Sequence, residues 1–315
     1  MYIIISNYKT YPIISQFLFT NRPKYDKLLK NLLKEVVKLM RIISDTSTLY
    51  SPEEGAALGV HIIPASIIYR DKAYRDYIDI TTEKFLQLVR TGACPTSSQP
   101  AIGDLLEVFE EDDEETLALF IGDGLSGGYA NAMGARNTLD DPSSIHILDT
   151  RTLAGAERYL LEKAVQLRNE GFSLEAILTD LQYSIDASAS YVIPADFEFL
   201  KRSGRLTPIA AKISSIIKIV PVMTQTPDMK KITLLTIKRS SRKATDAIIE
   251  NMKKIGVDAT YKLYICHGGD LAAAEAARDQ LLAAFSGCEY ELLPLSPAMI
   301  THGGPGCVVF QAIRK

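Results

Sequence analysis

Three short apolar runs in the first half of the chain are each followed by a polar or glycine-rich turn and then by a helix-like segment. These units cover residues 42–48, 117–136 and 145–169. Strands that alternate with helices in this way favour an open parallel α/β sheet. In such a sheet the turn after each strand faces the crevice in which ligands bind. The pattern therefore predicts both the fold of this half and the edge at which a site lies.

The second half of the chain has a different order of elements, with strand candidates as close neighbours. Strands are predicted at residues 191–193, 219–223, 232–237, 261–267 and 290–293, and helices at residues 173–187, 197–202, 243–255 and 271–285. This order favours an α+β sandwich. We therefore predict an α/β protein in which an N-terminal open parallel α/β domain (residues 40–188) precedes a C-terminal α+β sandwich domain (residues 189–315).

Residues 1–39 stand apart from this pattern and are interpreted as an N-terminal extension. The apolar stretch at residues 2–19 is interrupted by Lys9 and Pro12 and has no basic region before it, which makes it a poor signal peptide. Residues 24–39 have the pattern of a basic amphipathic helix. Met40 comes directly before the first predicted strand, so our hypothesis is that Met40 is the true start and that the extension comes from a mis-called one.

The composition excludes several classes of function. Hydrophobic residues make up 47% of the 315 residues and the net charge is -3, a globular balance without the basic excess that nucleic-acid binding needs. Four scattered cysteines show no paired metal spacing and indicate a reduced, cytoplasmic protein. No segment is long and apolar enough to span a bilayer. We expect neither a metal nor a cofactor.

A cluster of three hydroxyls stands between two prolines and ahead of a helix predicted at residues 101–110. Its members are Thr96, Ser97 and Ser98. Hydroxyls at a helix start can accept bonds from the helix N–H groups or, turned outward, donate to an anion. Three exceed what a cap needs, so we interpret the cluster as an anion-binding feature.

Two of the turns that follow strands carry further polar groups. Ser126 and Gly127 lie in a Gly/Ser-rich turn between a strand and a small-residue helix, an arrangement that can bind phosphate or carboxylate groups. The turn is neither a Walker loop nor GxGxxG, so it is a weak signal by itself. After the first strand, Ser47 and Thr48 are interpreted as helix caps, whereas we expect Asp45 to face the crevice.

One histidine, His302, stands between Thr301 and a glycine-rich run that ends at Gly306. Glycine permits positive φ and close approach, and a loop of this kind would present His302 and free N–H groups to a small anion. A plain turn before a strand is the alternative. His267 also follows a strand and is interpreted as structural, while His61 and His146 lie within strand patterns.

Five short motifs, in the right order from Met40 to the C-terminus, resemble the DegV family of bacterial fatty-acid-binding proteins. They are Asp45-Thr46-Ser47, Thr96-Ser97-Ser98-Gln99-Pro100, Leu125-Ser126-Gly127-Gly128-Tyr129, Leu200-Lys201-Arg202-Ser203-Gly204-Arg205-Leu206 and Thr301-His302-Gly303-Gly304-Pro305-Gly306. The chain departs from the family pattern at Ser97, Ala101, Gly128, Ser203 and Gly303. At Ala101, Gly128 and Gly303 a hydroxyl is lost, which changes the number of hydrogen bonds available to a ligand's head group.

The resemblance implies a carrier without chemistry of its own and without catalytic residues. One long-chain fatty acid would lie between the two domains and be presented to a fatty acid kinase, which yields acyl-phosphate for lipid synthesis. The residues that the resemblance places around the ligand are Thr96, Ser97, Ser98, Ser126, Gly127 and His302. Arg202 and Arg205 would dock the partner kinase. We also expect a monomer, transient contact with a membrane and no nucleic-acid partner.

A second interpretation is a histidine-dependent phosphotransferase of a related α/β fold, in which His302 or His267 is phosphorylated. The carrier is favoured because the sequence offers no evident nucleophile–base–acid triad or carboxylate pair. The apolar segment at residues 210–217 and its neighbouring strands are candidates for the wall of the acyl-chain tunnel, but core packing is the favoured role for most of them.

Overall fold

The computed structural model describes residues 40–90, 92, 94–212 and 219–315. The N-terminal extension and most of the apolar segment at residues 210–217 lie outside the described residues, so the predictions made for them stay predictions. Met40–Lys315 form one compact unit, and the proposed boundary between residues 188 and 189 also stays a prediction. Within the described ranges, no helix has the length and hydropathy needed to cross a membrane.

The described elements are numbered in chain order. The strands are β1 (Arg41–Asp45), β2 (His61–Ile63), β3 (Ser66–Tyr69), β4 (Lys72–Arg75), β5 (Thr96–Ser98), β6 (Thr116–Phe120), β7 (Ile145–Asp149), β8 (Ser188–Ile193), β9 (Val220–Gln225), β10 (Ile232–Lys238), β11 (Tyr261–His267), β12 (Glu289–Pro294) and β13 (Val308–Arg314). The helices are α1 (Pro52–Ala57), α2 (Thr82–Val89), α3 (Ile102–Phe109), α4 (Gly128–Arg136), α5 (Ala154–Asn169), α6 (Leu174–Asp186), α7 (Phe197–Arg202), α8 (Ser241–Lys254), α9 (Leu271–Ala284) and α10 (Pro297–Gly303), with short 3-10 turns at Thr46–Thr48 and Ala210–Lys212.

The first sheet is parallel throughout, with strand order β2-β1-β6-β7. Both of its faces are buried, as parallel sheets require. Along β6, Leu117 and Leu119 pack on the α5 side, whereas Ala118 and Phe120 pack against α3 and α4. The chain leaves β1 toward β2 on one side, while β6 lies on the other, so the crevice of this sheet is expected at the carboxyl ends of β1 and β6.

The second sheet is mixed and has strand order β10-β9-β8-β13-β11-β12. The pair β11–β12 is parallel and the other pairs are antiparallel. In β11, Leu263 and Ile265 face the cluster that contains α8 and α9, and Tyr264 and Cys266 face the cluster that contains α5. This alternation places α5 between the two sheets. Together the sheets confirm the predicted fold class, with a parallel sheet in the N-terminal half and a mixed sheet in the C-terminal half.

A third sheet consists of antiparallel strands in the order β4-β3-β5. The β-branched run at residues 66–69 predicts its middle strand, β3, but nothing in the sequence predicted the two outer strands. One of its two outer strands, β5, consists of the three residues of the hydroxyl cluster. Ser97 pairs with Ile67 and Ser98 with Ser66. A strand of three hydroxyl-bearing residues flanked by prolines carries no apolar alternation, so periodicity did not reveal it.

Candidate functional site

An apolar cavity lies where the segment after β6 meets the second sheet, and its empty space, counted together with its opening to solvent, is about 760 Å³. Its walls include Ile121 and Leu125 after β6, Val192 in β8, Met223 in β9 and Val309 in β13. Further apolar side chains of the wall are Leu153, Leu200, Ile232, Leu295 and Met299. The shape and chemistry of the cavity suit an apolar ligand.

A second, polar cavity adjoins the apolar one, and its empty space, counted together with its opening to solvent, is about 440 Å³. The residues that line both are Ile121, Leu125, Arg205, Met299 and His302. Asp45, Ser47, Ser97, Ser98 and Ser126 are on the polar side only. The turns after β1 and β6 therefore meet at one edge of the parallel sheet, as predicted, and an apolar space ends at a group of hydroxyls and one imidazole.

His302 is bonded to Ser97 at the boundary of the two cavities. The distance from Ser97 Oγ to His302 Nε2 is 2.6 Å. Burial lowers the pKa of His302 to about 3, and the positive charge of Arg205 acts in the same direction. The imidazole is therefore neutral at pH 7, and its tautomer decides whether His302 or Ser97 donates. It can donate to an anion but does not supply a positive charge.

The prediction that a glycine-rich loop presents His302 is wrong in its local structure. His302 lies in the last turn of α10, which begins at Pro297 and has Ser296 as its N-cap. The N–H groups of Gly304 and Gly306 are already bonded to Ile300 O (2.8 Å) and Gly268 O (2.7 Å). They are not free for an anion. The glycines instead turn the chain from α10 into β13, with positive φ at both positions.

The structure separates the members of the hydroxyl cluster. Ser97 and Ser98 line the polar cavity, whereas Thr96 is exposed and is not a lining residue. In addition, the three hydroxyl residues form the strand β5. The helix α3 begins only at Ile102, and its N-cap, Ala101, makes no side-chain hydrogen bond. The interpretation of the hydroxyls as a group at the helix start is thus corrected: β5 directs each hydroxyl separately.

In the turn after β6, Ser126 reaches the polar cavity and Gly127 does not. Ser126 Oγ accepts a hydrogen bond from Gly128 N at 3.2 Å, at the start of α4. Gly127 packs against Gln99 instead, since a Cβ at this position would lie 3.0 Å from Gln99 Cδ. Gly127 therefore permits the close approach of two chain segments, and is not among the lining residues.

Arg202 and Arg205, both predicted to dock a partner, lie in different environments. Arg202 is exposed at the end of α7, where its Nε donates to Glu198 O at 3.1 Å. Arg205 is half-buried, lines both cavities and donates from Nε to Leu125 O at 3.0 Å. Burial lowers the pKa of its guanidinium. Arg205 thus joins the Ser126 turn to the C-terminal sheet.

His267, the other histidine considered for the site, ends β11 and lines neither cavity. Its Nδ1 accepts from Gly269 N at 3.3 Å, a local bond of the strand end. This position agrees with the structural role that the sequence suggested.

Part of the polar cavity carries no clear signal in the sequence. Ser47, interpreted as a cap, lines the cavity together with Asp45 and bonds to Glu157 Oε2 at 2.6 Å. Burial raises the pKa of Asp45 to about 6 and that of Glu157 well above its usual value. No motif marks Glu157, because a single glutamate in a long helix is most often a solvated residue. Asp45 was expected to face the crevice, and it does.

The chain resembles known proteins over the whole described part. A family model described as "Uncharacterised protein, DegV family" matches residues 40–315. A DegV domain-containing protein of Listeria innocua is 28% identical over 274 residues, which cover 85% of this chain and 95% of the relative.

Two solved structures share the fold closely. A fatty-acid-binding DegV family protein from Thermus thermophilus is 28% identical with a TM-score of 0.79, covering 88% of this chain and 99% of that one. A fatty acid binding DegV family protein from Streptococcus agalactiae is 25% identical with the same TM-score, 0.79, and the same two coverages, 88% and 99%. The family match spans far more than half of the chain. This chain therefore belongs to the DegV family.

Proposed function

We propose that the protein is a carrier that holds one long-chain fatty acid, with the acyl chain in the apolar cavity and the carboxylate in the polar one. The observation that carries this proposal is the Ser97–His302 pair at the point where an aliphatic cavity ends. The fatty acid binding of the Thermus and Streptococcus relatives supports the same ligand class. The ligand would lie between the two proposed domains.

The energetics agree with this placement. Burying an acyl chain of about 14 methylenes at about 0.8 kcal/mol each yields roughly 11 kcal/mol before costs. The carboxylate loses its water in the process, which is unfavourable unless several donors replace it. We propose Ser97, Ser98, Ser126 and His302 as these donors. Thr96 and Gly127 are left out, because neither lines the polar cavity.

We further propose that the bound acid is presented to a fatty acid kinase in the cytoplasm and leaves as acyl-phosphate for lipid synthesis. Arg202 is exposed and suits contact with a partner, whereas Arg205 lines the polar cavity and would act on the ligand's head group as well. Arg202→Ala should therefore slow acyl-phosphate formation by the kinase without changing fatty acid affinity. Arg205→Ala should reduce both. Equal behaviour of the two variants would contradict this division of roles.

The test of the carrier function is direct. Protein purified from a bacterial host is analysed by native mass spectrometry, then denatured and extracted. We expect about one long-chain fatty acid for each chain, and rebinding of palmitate or oleate after delipidation. Absence of extractable fatty acid together with failure to rebind either acid would refute the proposal. A stable phosphate on His302 would favour the phosphotransferase instead.

A further inference from the structure

Three carboxyl groups are buried beside the polar cavity. Asp45, at the end of β1, is 3% exposed, while Glu157 in α5 and Asp76 after β4 are both 0% exposed. Asp45 lines the cavity directly. Ionised groups are rarely buried without a partner of opposite charge, so the proton count of this cluster requires an explanation.

Hydrogen-bond geometry points to a proton on one of these carboxyls. Ser47 Oγ bonds to both Asp45 Oδ1 and Glu157 Oε2. A hydroxyl has a single hydrogen, so it donates in one contact and must accept in the other. Only a protonated carboxyl can donate to it. Either Asp45 or Glu157 is therefore in its acid form.

Glu157 is the carboxyl that holds this proton. Its Oε1 is buried without a hydrogen-bond partner, which an ionised group would tolerate poorly. Asp45 Oδ1, in contrast, also accepts from Ser47 N at 2.7 Å. Bonds of this kind favour the ionised form and oppose the effect of burial, and the pKa of Asp45 is about 6. The free protein thus has a neutral Glu157 and an Asp45 that ionises as the pH rises above about 6.

The groups around Asp45 give its charge little compensation. Glu157 faces it from α5, Asp76 lies close enough for the charge of Asp45 to raise its pKa, and Asp149 acts in the same way on Glu157. Across the polar cavity are the neutral His302 and the guanidinium of Arg205. In the described part of the chain, no group of three or more ligating side chains has the geometry of a metal site.

This inference rests on the proposed function. We propose that Asp45 is a further head-group residue, which takes up a proton when a long-chain carboxylate enters the polar cavity and donates it to the ligand. Two carboxylates that share a buried site cannot both stay ionised. When the ligand's carboxylate enters beside Asp45, the pair therefore takes up one proton from solvent. The ligand is then held by a shared proton as well as by the hydroxyls and His302.

The consequence is a pH dependence of defined sign. Binding takes up a proton, so raising the pH opposes it, and affinity should fall by up to tenfold per pH unit above about pH 6. Below that pH, Asp45 is already protonated in the free protein. The affinity should then level off.

His302 is the competing proton acceptor, because an incoming carboxylate would also favour its charged form. Protonation of Asp45 and protonation of His302 would each give an uptake of about one proton on binding. Substitution of either residue separates the two possibilities. Asp45→Asn keeps the shape and can donate from its amide without taking up a proton. Asp79→Asn is the matched control, since Asp79 is an exposed residue paired with Arg75.

The experiment is calorimetric titration of delipidated protein with laurate below its critical micelle concentration, at pH 7.5, in buffers of different ionisation enthalpy. We expect an uptake of about one proton for the unmodified protein and for Asp79→Asn, and an uptake near zero with binding retained for Asp45→Asn. Binding without uptake in the unmodified protein would overturn the inference while leaving the carrier function intact. Uptake that persists in Asp45→Asn but is lost in His302→Gln would also overturn it. No binding by the unmodified protein would refute the carrier function itself.

If Asp45→Asn does not fold, Ser47→Ala provides the test. Removing the hydroxyl that bonds to Asp45 raises the pKa of Asp45, so affinity should begin to fall at a higher pH than in the unmodified protein. An unchanged onset would overturn the inference.

Discussion

Replacing Ser97 with alanine tests the head-group site most directly. Ser97 Oγ lies 2.6 Å from His302 Nε2 and lines the polar cavity, so the substitution removes a donor for the ligand and the partner of the imidazole. A hydrogen bond to a charged group contributes roughly 1.5–3 kcal/mol. Affinity for palmitate should therefore fall by about ten- to hundredfold. Displacement of a fluorescent fatty acid measures this change.

The neighbouring hydroxyl offers a matched control. Thr96 is in the same strand but exposed, and it lines neither cavity. Thr96→Ala should therefore leave affinity within about twofold of the unmodified protein, because removing an exposed hydroxyl has little effect. Circular dichroism establishes that both variants fold. Equal losses in the two variants, or no loss in Ser97→Ala, would refute the assignment of the head group to this cavity.

Two further predictions concern stability. Gly155→Ala should lower the free energy of unfolding by about 1–3 kcal/mol, because a Cβ at this position would lie 2.4 Å from Tyr264 Cγ. At Gly134 a Cβ would have no neighbour within 4 Å outside its own helix, so Gly134→Ala should raise the free energy of unfolding slightly. Urea titration of both variants measures these changes. Burial raises the pKa of Asp76 to about 7, so the folded state binds the extra proton and stability should fall as pH rises from about 4 to 7. Asp76→Asn should flatten this slope, and an unchanged slope would contradict the assignment.

The sequence predicted the fold class well because its strongest signals are local and repeated. Leu117–Phe120 is apolar on both faces, as buried parallel strands are, and the shorter apolar runs at β1 and β7 are likewise followed by a polar turn and then a helix. The helix at Phe197–Arg202 was predicted with its observed bounds.

The details of the site were less predictable because they depend on contacts between distant residues. Ser47 and Glu157 are 110 residues apart, and only packing of α5 against the parallel sheet brings them together. The hydroxyl strand β5 and the helix α10 lack apolar periodicity long enough to be recognised. Without these elements, His302 was placed in a loop and Thr96 beside the ligand.

The polar cavity favours a ligand that is held without a strong ion pair. Among the described residues that line it, Arg205 is the one cation, and its Nε is already committed to Leu125 O. His302 is neutral because its pKa is about 3. Affinity for a fatty acid would thus come mainly from the acyl chain, while hydroxyls, imidazole and a shared proton offset the desolvation of the carboxylate.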